Sequence, residues 1–165
     1  MEVLESENTG QVRYAGFWLR FVAYLIDDIL LSVISFVIAL PFIGTIIFSG
    51  IALSDLDKCE ESTFMGIAGI AGIVLLLIIT LTAVSWLYFA LMESSRQQAT
   101  LGKMALGLKV TDMEGNRISF GRATGRYFGK IISGMIFMIG YILAGLTEKK
   151  QALHDMIAGC LVIRT

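Results

Sequence analysis

Two long apolar runs dominate the 165-residue chain, Phe17 to about Leu53 and Phe64 to Met92, with the polar, acidic loop 54–62 between them. As a straight helix the first run would be about 55 Å long, whereas the hydrocarbon core of a bilayer is about 30 Å thick. Length alone therefore does not set its register. Pro41, the only proline, lacks an amide donor and is expected to end or kink the helix, which predicts a first span over about 21–42. The second run predicts a tilted span over 64–92. A third run, Ile131 to Leu146, is interrupted by Gly134, Gly140 and Gly145. It falls short of the roughly 20 residues that a comfortable span needs.

Between the second and third runs the pattern changes. Arg96, Lys103, Lys109, Arg117, Arg122, Arg126 and Lys130 face only Glu93, Asp112 and Glu114, and this basic excess predicts a cytoplasmic segment over 93–120. Within it LKVTDMEGNRISF alternates apolar and polar residues on both sides of a turn at Met113 to Asn116, the pattern of a small β-hairpin. Ser119 can cap a helix starting near Phe120, so helix and short membrane segment together occupy 121–146. If the third run crossed, Lys149 and Lys150 would lie outside, against the positive-inside bias. A re-entrant segment keeps them and residues 147–165 inside, where CLVIRT could add a strand to the hairpin. The expected fold is thus an all-α integral membrane protein with two full transmembrane helices, a short re-entrant third and a small cytoplasmic β-hairpin. Residues 1–13 read as a disordered cytoplasmic tail and 14–165 as one membrane domain in the cell membrane.

Composition agrees: 56% of residues are hydrophobic and 16% charged, and the mean hydropathy is +0.76. Against that background the charges in the first span stand out. A charge at membrane depth costs about 2.5 to 3.5 kcal/mol, so Arg20, Asp27 and Asp28 are the leading candidates for an ion or proton pathway. Arg20, Ala23 and Asp27 share one helical face, and Asp28 points roughly 100° away. The competing reading places Arg20 and the aspartates at the interface. Arg122, Arg126 and Lys130, spaced i, i+4 and i+8, form a basic stripe suited to anionic lipid or a partner. Gly66, Gly69 and Gly72 would let a helix approach closely, either the first span or a second copy.

Enzyme chemistry finds no support in the residues. Cys59 and Cys160 have no metal-binding spacing, so neither metal nor cofactor is expected. Gly102-Lys103 lacks the glycine of a phosphate loop, no serine or cysteine has an evident activating partner, and no nucleic-acid partner is expected.

Three separated motifs, AGFWLRFVAYLID, TLGKMALGLKVTDMEGNRISFGRATGR and QALHDMIAGCLVI, occur in the order found in the RDD family of small membrane proteins, which the chain resembles from about Tyr14 to Ile163. The resemblance matches Arg20 to the family's arginine, Asp27 to its first aspartate and Asp155, beside His154, to its second. It implies one of two functions. In a monovalent cation/proton antiporter, Asp27 would alternately hold a proton or cation, Arg20 would bias it, and His154 with Asp155 would relay protons. So few spans would then require a homo-oligomer. In a non-transporting adaptor that binds another membrane protein, Arg20, Asp27 and Asp155 would form a structural ion-pair network.

Overall fold

The computed structural model describes residues 13–55, 60–135 and 139–165. Two helices are long and apolar enough to cross a membrane, α1 (Phe17–Asp55) and α2 (Glu60–Ser94). Of the acidic loop expected over 54–62, α1 takes in Asp55 and α2 begins at Glu60, while residues 56–59, Cys59 among them, and the N-terminal tail lie outside the described residues. The chain divides into two compact units, one running from Ile26 to Tyr88 and the other combining the residues up to Leu25 with Phe89–Thr165.

In the Ile26–Tyr88 unit, the helix bodies turn large apolar side chains outward, among them Phe36, Val37, Phe48, Leu75 and Ile79. A water-soluble protein would bury such faces; here lipid is their natural covering. Pro41 does not end α1, contrary to the sequence expectation: the helix runs through it for a further fourteen residues, to Asp55. The proline removes one backbone donor, the one that would reach the carbonyl of residue 37, and the surrounding apolar helix carries on without it. A Cβ added at Gly69 or Gly72 would meet nothing within 4 Å, so no other described part of the chain uses those glycines for close packing.

The second unit is a small packed cap. Its elements are α3 (Leu101–Ala105), β1 (Leu108–Asp112), α4 (Phe120–Met135), α5 (Ile139–Leu146), α6 (Leu153–Ala158) and β2 (Cys160–Arg164), joined to the start of α1 and the end of α2. Ser119 caps α4 as expected, its Oγ accepting the Arg122 amide at 3.3 Å. The helix and short membrane segment expected over 121–146 correspond to α4 and α5, with residues 136–138 outside the described residues.

The local hairpin gives way to a longer-range pairing. The turn does form, with the Asp112 amide donating to the Asn116 carbonyl at 2.9 Å and the Asp112 carboxylate accepting the Glu114 and Asn116 amides. Beyond it, however, only a Thr111–Arg117 bridge meets β1. The ladder partner is β2, antiparallel, in the register Leu108 to Arg164 through Asp112 to Cys160. Packing explains the choice: Val110 and Val162 face one another fully buried, whereas the segment after the turn soon enters α4. Residues 13–15 also pair with β2, through Ala15 N–H to the Val162 carbonyl and Arg164 N–H to the Arg13 carbonyl.

Candidate functional site

The cap is organised around buried charge. Arg20, in the first turn of α1, uses all three guanidinium nitrogens. Nε donates to the Ala15 carbonyl at 2.9 Å, one terminal nitrogen to the Lys150 carbonyl at 2.6 Å, and the other pairs with Asp155 Oδ2. Asp155 is placed by α6, a short helix whose first turn it stabilises by accepting the Ala152 amide at 3.2 Å. Gly159 ends α6 in the left-handed conformation, at φ 61°, and hands the chain directly to β2.

On its other side Asp155 meets Arg126. Nε of Arg126 donates to Asp155 Oδ1 at 2.7 Å, and a terminal nitrogen reaches Glu93 Oε2 at 2.6 Å. Glu93 in turn accepts Lys103 at Oε1, 2.5 Å away, and has Lys130 3.5 Å from the same oxygen. Arg126, Glu93 and Asp155 are each about 1% exposed or less. Charges this deeply buried persist because each has an oppositely charged hydrogen-bonding partner.

The electrostatics follow from that arrangement. Burial alone would raise the Asp155 carboxyl, but Arg126 and Arg20 outweigh it and hold the group well below the usual carboxylate range. Burial works against the Arg126 charge, and Asp155 with Glu93 more than restores it. The Lys103 ammonium is pushed down to about 7, mainly by burial, with Arg126 and Lys130 adding to the effect against the pull of Glu93. His154 is pushed down to about 3, again mainly by burial, so its ring is neutral at physiological pH. That ring lies 3.4 Å from Ser133 Oγ and 3.6 Å from Asp155 Oδ1. A neutral buried imidazole orients its neighbours; it does not pick up and release protons near pH 7.

Two residues expected to face lipid are instead inside. Arg126 is completely buried and Lys130 partly so, with its side chain 15% exposed and its ammonium 4.0 Å above the Phe89 ring. The i, i+4, i+8 spacing is real, but α4 rolls this face onto α2 and α6, where the carboxylates are. Arg122 alone remains largely exposed, 3.9 Å from Asp112. Glu93 and Lys103 are the residues that sequence reasoning missed. The available signal was a single glutamate abutting an apolar run, in a segment otherwise rich in bases.

Asp27 belongs to the other unit. It is 1% exposed, and its Oδ1 accepts the Tyr88 hydroxyl at 2.8 Å. Asp28 lies on an exposed face of the same helix. Of the three family residues, the structure thus joins Arg20 to Asp155 and gives Asp27 a tyrosine.

Residues 14–159 match the model of the RDD family. The chain is 42% identical over 149 residues to the uncharacterized protein YxaI of Bacillus subtilis, covering 90% of this chain and 96% of that one. It is 31% identical over 157 residues to the uncharacterized membrane protein YteJ of the same organism, covering 91% and 80%. No solved structure matches.

Proposed function

Since this membrane protein belongs to the RDD family, we propose that it acts as a non-transporting, non-enzymatic adaptor, a membrane-embedded platform that binds another membrane protein. One observation carries this reading: the Arg20, Asp155, Arg126 and Glu93 charges pair with one another in a buried network that Lys103 and Lys130 extend at Glu93. Two parts of the antiporter scheme are thereby weakened. Arg20 has its hydrogen bonds committed to Asp155 and two carbonyls, and His154 is neutral at working pH. What remains is a compact unit bound together by its own charges, together with two apolar helices whose outward faces are available to a partner. In this reading the protein sits in the cell membrane with its N-terminus and cap in the cytoplasm, where the bases of 93–130 favour them, and α4 with α5 dips into the inner leaflet.

A second reading keeps cation/proton exchange at Asp27, in an oligomer whose contact uses Gly66, Gly69 and Gly72. It rests on the buried carboxylate facing Tyr88, since a carboxylate kept at membrane depth is the usual mark of an ion path.

Proteoliposomes carrying verified folded protein separate the two. The adaptor reading expects no proton movement on addition of Na+, K+ or Li+. Site-specific photocrosslinkers at Phe36 and Val37 in native membranes should also give a discrete adduct with a second protein. Cation-dependent proton flux that disappears in Asp27→Asn would overturn it, as would adducts with lipid alone.

A further inference from the structure

We propose that α3 is a pH-sensitive latch of the cap: Lys103 docks the helix at Glu93 most firmly as a neutral amine, and its protonation loosens α3 while β1 stays paired. The chain is built for a movement confined to this stretch. Before α3, Gln98 is fastened to Val110, accepting its amide at 2.7 Å and donating from Nε2 to its carbonyl at 3.3 Å. After α3, the Gly107 carbonyl accepts the Thr165 amide at 2.8 Å and the Thr165 hydroxyl at 3.1 Å. Both fastened residues take a positive φ, 55° at Gln98 and 63° at Gly107, so the backbone turns at each end of the excursion. Between them lie residues 99–106, in which Lys103 is the only charge. A helix of five residues is not stable by itself, so α3 depends on what docks it.

The Lys103 side chain is 9% exposed, with Nζ 2.5 Å from Glu93 Oε1. The same carboxylate pairs with Arg126 at Oε2 and has Lys130 3.5 Å from Oε1. A buried ammonium that shares its carboxylate with two other cations is weakly favoured, whereas a neutral amine still donates a hydrogen bond at lower desolvation cost. Glu93 is not left bare when Lys103 gives up its proton, because Arg126 and Lys130 stay beside it. Those three are the charged groups acting on Lys103 from α2 and α4, and Asp155 of α6 lies beyond Arg126. β1, on which α3 packs, carries Lys109 and Asp112, the latter engaged with its own turn and Arg122.

The sign follows from the two environments. Burial above all, with Arg126 and Lys130 adding to it, holds docked Lys103 at about 7, whereas an undocked amine in water binds its proton at the ordinary 10.5. Falling pH therefore favours the undocked form. Docking strengthens as pH rises from 7 toward 10.5, and below 7 both forms are protonated and the balance is flat. Leu101 and Met104, the exposed apolar residues of α3, are thus held in place most firmly on the alkaline side. The latch lies within the cap and works alike in an adaptor and in an exchanger.

Millisecond amide exchange read by mass spectrometry tests the latch on the full chain in a neutral detergent, with the intrinsic exchange rate divided out and β1 as internal reference. The opening constant of residues 99–106 should fall about fiftyfold between pH 7 and 9 and change by no more than about twofold between pH 6 and 7. β1 should show no such slope. Lys103→Met, apolar and of similar length, should remove the slope and keep α3 closed throughout. Lys103→Arg, charged at every pH used, should also remove the slope but leave α3 open. The wild-type slope requires no variant, so it decides the matter even if a substitution prevents folding. Exchange of 99–106 that does not depend on pH would overturn the proposal, and so would a slope shared by β1. A slope that survives in Lys103→Met would assign the titration to another group, such as the Cys160 thiol that burial raises, and would overturn it as well.

Discussion

Arg20 and Asp155, 135 residues apart in the chain, hold each other in a buried ion pair that Arg126 extends to Glu93. Removing the shared carboxylate leaves two buried guanidinium groups without it. Asp155→Asn is therefore expected to destabilise the protein by about 3 to 5 kcal/mol. Arg20→Lys keeps the charge but cannot reach Asp155 and both carbonyls at once, and should cost roughly 1 to 3 kcal/mol. Thermal unfolding in detergent measures both, and wild-type stability of Asp155→Asn would refute the network's structural role.

Helix α4 carries two glycines with opposite expectations. A Cβ at Gly129 would come within 3.0 Å of the His154 Cβ and 3.2 Å of its Cα, where α4 and α6 press together. Backbone cannot swing aside, so Gly129→Ala should destabilise by about 1 to 3 kcal/mol. A Cβ at Gly125 meets nothing within 4 Å. Gly125→Ala should stabilise by about 0.4 to 1 kcal/mol, by restricting the unfolded chain. Unfolding of the two variants side by side checks the sign of each.

Acid stability should report on His154. Its folded value of about 3 lies below the ordinary 6.5, so the unfolded chain binds the extra proton first as pH falls. The stability of the neutral form is complete above 6.5 and is lost on the way down toward 3. At pH 4.5 the loss should be roughly 2 to 3 kcal/mol. Lys103 adds no slope there, being already protonated below its value of about 7, and the Asp155 carboxyl contributes only below its ordinary 3.8. His154→Gln should flatten the curve between pH 6.5 and 4.5; an unchanged slope would assign the acid sensitivity elsewhere.

Tyr88→Phe removes the hydroxyl that donates to buried Asp27. Leaving that acceptor short of a donor should cost about 1 to 3 kcal/mol in liposome-reconstituted protein. Asp28→Asn, on the exposed face, should change stability less. The reverse ranking would mean that Asp28, and not Asp27, is the anchored carboxylate.

Periodicity and local chemistry made much of this legible from residues alone. The two long helices follow from long apolar runs, the α4 cap from Ser119, and the pairing of β2 with β1 from the exposed edge of LKVTD, to which CLVIRT could add a strand. Arg126 and Lys130 were misjudged because helical spacing fixes which residues share a face but not which way the face points. Only the carboxylates of Glu93 and Asp155, from α2 and α6, decide that. At Pro41 the local preference is overridden by an otherwise favourable apolar helix on both sides.

The Arg20–Asp155 pair also imposes a timetable. At a synthesis rate of about 5 to 20 residues per second, the arginine waits on the order of ten seconds for its carboxylate to be made. During that interval both long helices have been translated, and an unmatched guanidinium sits at the head of the first. Closure of the Arg20–Asp155 pair therefore comes after both long helices have been synthesised, and the nascent chain passes through a stage in which the sequence of both is complete but this pair does not yet fasten the head of the first.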